Sequence, residues 1–394
     1  MKYFFILLYI WMNFFCAYSV KIPFHINKAL KGRTKPVEII DALINNKRYF
    51  LFDVGYPIQK LPFVLTTNYM NQIIDNSKND VKSDFKYKLS KSAEVKQYGN
   101  FYLSYKDYIL LQNSHINTTM NFLLREEKEP YNYTGIFGLQ LAEKKSDDKF
   151  NFFFQLKQLN IINKVLFYFT YREREAGYIT IGMDAYDDEP EMYSEKNTLT
   201  IDVDRLLDYE VHINHKFKYP WNLNFSEIYY EKNIPKNSEM NPHVEISRKH
   251  TRRVNFFQAI LVPEDELIKA PYEYQEAIER DFFDPLNKDN ICKKLTFEGK
   301  YFFVCQRENE KILRKLFPTI FFYHEKLNYK FELNFDDLFI KVHKYFVFGI
   351  YFECSPIEIF PGAFLSEWYF GNIFLRKYCF GFDMENNKIK FYKK

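Results

Sequence analysis

The stretch from Gly55 to Ile74 constrains the fold of this chain more than any other. Gly55-Tyr56-Pro57 is a turn signal. Leu61-Pro62-Phe63-Val64-Leu65 is a short apolar run, read as a buried strand with a proline near its start. Thr66 to Asn71 is a mostly polar break, and Ile73-Ile74 resumes the apolar character. The pattern requires a strand that enters a core, turns sharply and leaves again.

This unit resembles the first active-site hairpin of the pepsin-like aspartic proteases. That family carries Gly-x-Pro-x-Gln, an apolar strand, then Asp-Thr-Gly-Ser. Gly55-Tyr56-Pro57-Ile58-Gln59 matches without a gap and puts Thr66 where the catalytic aspartate belongs. Thr67 matches the family threonine, and Asn68 replaces the glycine.

The resemblance continues along the chain. Tyr133-Thr134-Gly135-Ile136-Phe137-Gly138-Leu139 is similar to the family's Asp-Gly-Ile-Leu-Gly-Leu, whose glycines let a strand pass behind the active-site loop. An amphipathic helix is read over Phe152 to Ile162 and a strand over Val165 to Thr170. Gly177 to Asp184 resembles Gly-x-Leu-x-Leu-Gly-Gly-x-Asp, one glycine short. In the second half, Ala259-Ile260 and Pro271 fix the register of a second hairpin, with Val262 at the second aspartate position. Pro263, Glu264, Asp265 and Glu266 replace its Thr-Gly-Thr-Ser; Asp265 is three residues off the register. Trp368 to Tyr378 and Phe382 to Phe391 are similar to the closing Leu-Gly-Asp-x-Phe-Leu-Arg-x-Tyr and Phe-Asp-x-x-Asn-x-x-Ile-Gly-Phe. Tyr98-Gly99 resembles the tyrosine and glycine of the flap that folds over bound peptide; an ordinary hairpin tyrosine is the alternative.

The fold implied is all-β and bilobal, with two β-barrel-like lobes, a central cleft and a few short helices. Residues 36–190 would be the N-terminal lobe and 191–394 the C-terminal lobe. Read from the residues themselves, Pro36 to Ile40 and Arg48 to Val54 are strands joined by an Asn45-Asn46 turn. Residues 20–35, with Lys21, Lys28, Lys31, Arg33 and Lys35, are basic like a short pro-segment. In active relatives such a segment pairs with the catalytic carboxylates, which are missing here.

Residues 1–19 have a basic start, a short apolar core and an Ala-x-Ser end, the pattern of a secretory signal peptide. The core is short for a membrane span of about 20 residues, and no later segment suffices. A secreted or endomembrane-lumen protein follows as the expectation, vacuole or lysosome included. Sequons at Asn117, Asn132 and Asn224 agree with that route. Apart from Cys16, four cysteines are present: Cys292, Cys305, Cys354 and Cys379. An even count in a secreted chain points to two disulfides with three connectivities open. The family resemblance implies Cys305 with Cys354, leaving Cys292 and Cys379 to pair or stay free.

Other functions find no footing. The 55 basic and 51 acidic residues are interleaved, too balanced for a nucleic-acid partner. The one basic cluster, Arg248 to Arg253, is read as a solvated loop face, with a processing site as the alternative. His212 and His215 would point to opposite faces of a strand, so a metal pair is not expected. No cofactor motif is visible. The 43 Phe and 32 Tyr are read as a compositional bias rather than a binding stripe.

In active relatives two carboxylates share one proton; the ionised one activates water and the protonated one hydrogen-bonds the scissile carbonyl. Thr66 has no base near neutral pH, and Val262 has no polar side-chain atom. The expectation is a catalytically inactive, monomeric homologue that binds a peptide or protein through the cleft or a lobe surface. The alternatives are an active endopeptidase, which demands a wrong register, and a structural secreted protein whose cleft is filled.

Overall fold

The computed structural model describes residues 19–26, 30, 32–45, 47–67, 72–75, 90–98, 102–111, 116–125, 135–140, 149–172, 176–203, 221–231, 243–245, 257–271, 274–353 and 368–394. Strands dominate these residues, and the helices are short. The chain divides into two compact units. Unit 1 takes Met1–His25, Tyr49–Asp202 and Cys379–Lys394; unit 2 takes Ile26–Arg48 and Val203–Tyr378. The division therefore falls after Asp202 rather than at 190, and the C-terminal strands return to unit 1 instead of closing the second lobe.

Unit 1 is built on strands β1 (Val20–Ile26), β2 (Arg48–Val54), β3 (Gln59–Thr66), β4 (Gln72–Asp75), β5 (Glu94–Tyr98), β6 (Tyr102–Leu111), β7 (Ile116–Arg125), β8 (Gly135–Gly138), β9 (Leu166–Tyr171), β10 (Gly177–Ile181) and β11 (Thr198–Asp202). Unit 2 holds β12 (Asn222–Phe225), β13 (Glu227–Glu231), β14 (His243–Glu245), β15 (Phe257–Leu261), β16 (Ile268–Ala270), β17 (Cys292–Phe297), β18 (Lys300–Gln306), β19 (Thr319–His324), β20 (Tyr329–Leu333), β21 (Phe339–Val342), β22 (Tyr345–Phe348), β23 (Ile350–Glu353) and β24 (Trp368–Phe370). Two last strands, β25 (Cys379–Asp383) and β26 (Lys388–Tyr392), belong to unit 1.

The two units repeat one block. In unit 1 the neighbours run β2-β3-β8-β4-β7-β6, and in unit 2 they run β12-β15-β24-β16-β23-β18. The senses agree at every step: antiparallel, parallel, antiparallel, parallel, antiparallel. In each block the two arms of a hairpin straddle one inner strand, β8 or β24. The registers match as well: Leu65 pairs with Phe137, and Leu261 with Phe370. Thr66 and Val262 therefore hold equivalent positions, each one residue past the paired leucine.

Among the described residues, aromatic side chains fill both cores. Phe137, fully buried, packs against Phe50, Phe52, Phe152 and Phe153. Phe370, also fully buried, packs against Phe225, Phe322 and Phe374. Each such side chain contributes roughly 1.5–3 kcal/mol through burial alone.

One expectation needs correction. Pro36 to Ile40 is not a strand: Pro36–Ile44 is a helix, with proline in its first turn and Glu38 beside it. Val37, Ile39 and Ile40 suggested a strand by their β-branching. The helix wins because Ile39, Ile40, Ala42 and Leu43 fall on one face and are buried in unit 2. The basic segment 20–35 includes an internal strand, for β1 lies between β10 and β2 with Val20, Ile22 and Phe24 buried. Among the described residues no helix is long and apolar enough to cross a membrane.

Candidate functional site

In unit 1 the hairpin starts from a tight turn. Gly55 has a positive φ of 80°, and an added Cβ would press on the Ser90 hydroxyl and the Asp107 carboxylate. Asp107, fully buried, accepts from Tyr105, from the Ser92 hydroxyl and from the backbone N–H of Tyr108. Burial, with Asp107 beside it, holds the Tyr105 phenol well above its ordinary range. From this turn β3 runs inward to Thr66, which is half-buried; Thr67 is buried. The Thr66 carbonyl accepts from the Leu139 N–H at 2.8 Å, tying the end of β3 to the strand beside it. Asn68 and Gly99 lie outside the described residues. Tyr98 closes β5, its backbone paired with that of Tyr102.

In unit 2 the equivalent turn is held by charge. Val262, 5% exposed, receives its place through its N–H donating to the Phe370 carbonyl at 3.0 Å. The Asp265 N–H donates back to the Val262 carbonyl at 3.0 Å, closing a β-turn with Pro263 at its second position, where a fixed φ is favoured. Asn372 pins the turn from beneath: its side-chain amide donates to the carbonyls of Pro263, at 2.9 Å, and Asp265. The chain can come this close because residue 371 is glycine; a Cβ there would collide with the carbonyl oxygens of Leu267 and Asp265.

The carboxylates of the turn are all engaged or buried. Glu266, with a 2% exposed side chain, lies between two guanidinium groups: Arg48 at 2.9 Å and Arg376 at 2.8 Å. The Arg48 side chain is 1% exposed. Asp265 forms a 2.5 Å pair with Lys47, each side chain 34% exposed. Glu264 is buried. A buried ion pair of this kind is costly to break, because removing one partner strands the other charge away from water. Two of the three consecutive acidic side chains, Asp265 and Glu266, thus serve as counter-charges to Lys47, Arg48 and Arg376.

Another buried carboxylate of unit 1 lies away from the hairpin turn. Asp184, fully buried, accepts from Lys390 at 2.6 Å, Lys164 at 2.9 Å and the Tyr392 hydroxyl at 2.8 Å. Burial pushes its carboxyl up, but the hydrogen bonds from Lys390 and Lys164, with the Lys390 charge and Tyr392, outweigh it and hold it below its ordinary value.

The remaining candidates separate. The disulfide joins Cys292 to Cys305, directly opposite each other on β17 and β18, not Cys305 to Cys354 as the resemblance implied. The two strands form one hairpin through the Glu298-Gly299 turn, so the local partner prevails. Cys379 is a buried free thiol that burial pushes up to about 12, and Cys354 lies outside the described residues. Asn117 is exposed on β7; Asn224 sits in β12 with its side-chain oxygen buried; Asn132 lies outside the described residues. His212 and His215 also lie outside them, and among the described residues no group of three or more His, Cys, Asp or Glu could hold a metal ion. Lys47, Arg48, Arg376 and Asn372 were not singled out as site residues from sequence. The signal for Asn372 was present: Phe137-Gly138-Leu139 and Phe370-Gly371-Asn372 are the same element in the two blocks, with leucine in one and an amide in the other.

A scan of the chain against models of protein families finds no match. A search of curated proteins finds none either.

Proposed function

We propose that this protein is a catalytically inactive homologue of the pepsin-like aspartic proteases, entering the secretory route and binding a peptide or protein rather than cutting it. The observation that carries the reading is a pair of equivalent positions. Two repeated strand blocks bring Thr66 and Val262 to the same place in each, one residue past Leu65 and Leu261. Those are the places where the resemblance requires two carboxylates. A hydroxyl and an isopropyl group offer no base to activate water and no proton shared between two acids. The nearby carboxylates do not substitute: Asp265 is paired with Lys47, and Glu266 is enclosed by Arg48 and Arg376. Where catalytic groups act as a unit, losing them leaves little activity to build on.

The test is a cleavage assay of the purified chain on unfolded haemoglobin and casein from acid to neutral pH. No cleavage is expected, and turnover blocked by a statine-type inhibitor overturns the reading. Capture of ligands from a peptide library separates a binding protein from a purely structural one.

A further inference from the structure

We propose that the segment Pro36–Arg48 is the resident occupant of the 262–267 loop of unit 2, so that this loop is an internal docking site closed to foreign peptide. The proposal rests on ion pairs and burial within unit 2, and it stands whether or not the peptide-binding reading does.

The segment is held in two places, its helix packing beside β17 and its last two residues meeting the loop. Its helix buries Ile39, Ile40, Ala42 and Leu43. Its last two residues then supply two cations to two consecutive carboxylates, Lys47 to Asp265 and Arg48 to Glu266. The inner pair is dry, both side chains being 2% exposed or less. A guanidinium and a carboxylate taken this far from water hold their charges only through each other and their hydrogen bonds. Arg376 completes the cradle from the helix Asn372–Lys377, whose first residue pins the carbonyls of the same loop. A lysine- or arginine-bearing ligand, the kind an open acidic loop would attract, would have to displace the buried Arg48 guanidinium from Glu266.

This differs from the pairing of a basic pro-segment with catalytic aspartates. The cations stand at 47 and 48, beyond the basic stretch 20–35, and the carboxylates stand at 265 and 266, not at the register positions 66 and 262. The residues that replaced the expected Thr-Gly-Thr-Ser have become the receptor for a segment of the same chain.

The test is hydrogen–deuterium exchange of the full chain, read by mass spectrometry. Arg48→Met is expected to speed exchange of the 39–45 amides roughly tenfold while leaving β19 and β20 unchanged, as a local opening does. Arg376→Met leaves the Arg48–Glu266 pair in place and is expected to change the same amides by less than about threefold. No effect of Arg48→Met, or equal effects of the two variants, overturns the proposal. If Arg48→Met yields no soluble protein, Lys47→Met takes its place: an increase of about two- to fivefold confined to 36–48 supports the docking, and no increase overturns it. A lysine-rich peptide added to the wild type is expected to leave the 262–267 amides unchanged. Protection of those amides would mean that the loop is open.

Discussion

Unit 1 and unit 2 carry the same six-strand block, yet they spend their buried charges in different places. Unit 1 buries Asp184 between Lys164 and Lys390, where it ties β10 to the C-terminal strand, and leaves its hairpin turn with two threonines. Unit 2 buries Glu266 between Arg48 and Arg376 on the hairpin turn itself. The strand block is thus indifferent to what stands at its turn. The unit 2 turn is matched by cations brought from elsewhere in the chain, Lys47, Arg48 and Arg376.

The comparison breaks most directly at Glu266. Glu266→Gln keeps the shape but leaves Arg48 buried without its full counter-charge, and the expected loss is about 4 kcal/mol. Thr67→Val in unit 1 removes one buried hydroxyl and should cost about 1 kcal/mol. Urea unfolding of both variants, followed by tryptophan fluorescence, reads the difference. Equal losses would show that the charges at the unit 2 turn are incidental.

Restoring an acid at each equivalent position sharpens the asymmetry. Val262 is buried beside three acidic residues, so Val262→Asp should cost about 3 kcal/mol at neutral pH, with part of it returned on acidification as the new carboxyl protonates. Thr66 is half-buried, and Thr66→Asp should cost about 1 kcal/mol or less. Thermal melts of the two variants at neutral and acid pH compare them. A Val262→Asp penalty that does not shrink in acid would place that side chain in solvent.

Much of the block was legible because its strands are apolar and bounded by turn residues. Leu61 to Leu65, Phe137-Gly138 and Ala259-Ile260 all announced themselves in this way. The helix Pro36–Ile44 did not, since three β-branched residues in five suggest a strand and only burial in unit 2 decides otherwise. The Glu266 cradle was illegible for a different reason. Arg48 and Glu266 are 218 residues apart, and no local periodicity links a charge to a partner at that distance. The disulfide departs from the family analogy: that analogy implies Cys305 with Cys354, whereas the hairpin places Cys292 opposite Cys305.

Asp184 is the unit 1 counterpart of Glu266, and its prediction is milder because its lysines reach solvent. Lys164 is 53% exposed and Lys390 17%. Asp184→Asn should cost about 2 kcal/mol at pH 7. The sign with pH follows from the lowered carboxyl: the stabilisation is present above the ordinary value of 3.8 and is lost as pH falls through the lower folded value. Wild type and variant should therefore converge below about pH 4 in melts across the acid range. A gap that persists in strong acid would mean that the residue acts through packing rather than charge.

The smallest effect lies at the outer pair of the unit 2 turn. Lys47 and Asp265 are each 34% exposed, so water and ions reach both. Such a pair is worth about 0.5 kcal/mol at low ionic strength, and dissolved salt screens it. Lys47→Met should thus destabilise the chain by about 0.5 kcal/mol in dilute buffer and by almost nothing near 1 M salt, where the screening length is about 3 Å. Arg48, one residue on, sits where ions cannot follow, so the cost of Arg48→Met should stay the same across the same salt series. Chemical unfolding of the two variants in urea, which adds no ions, measures both at low and high sodium chloride. If the Lys47→Met loss survives 1 M salt, the outer pair is as dry as the inner one. If the Arg48→Met loss fades with salt, the loop breathes enough to admit ions, and the distinction between a sealed inner pair and a solvated outer one fails.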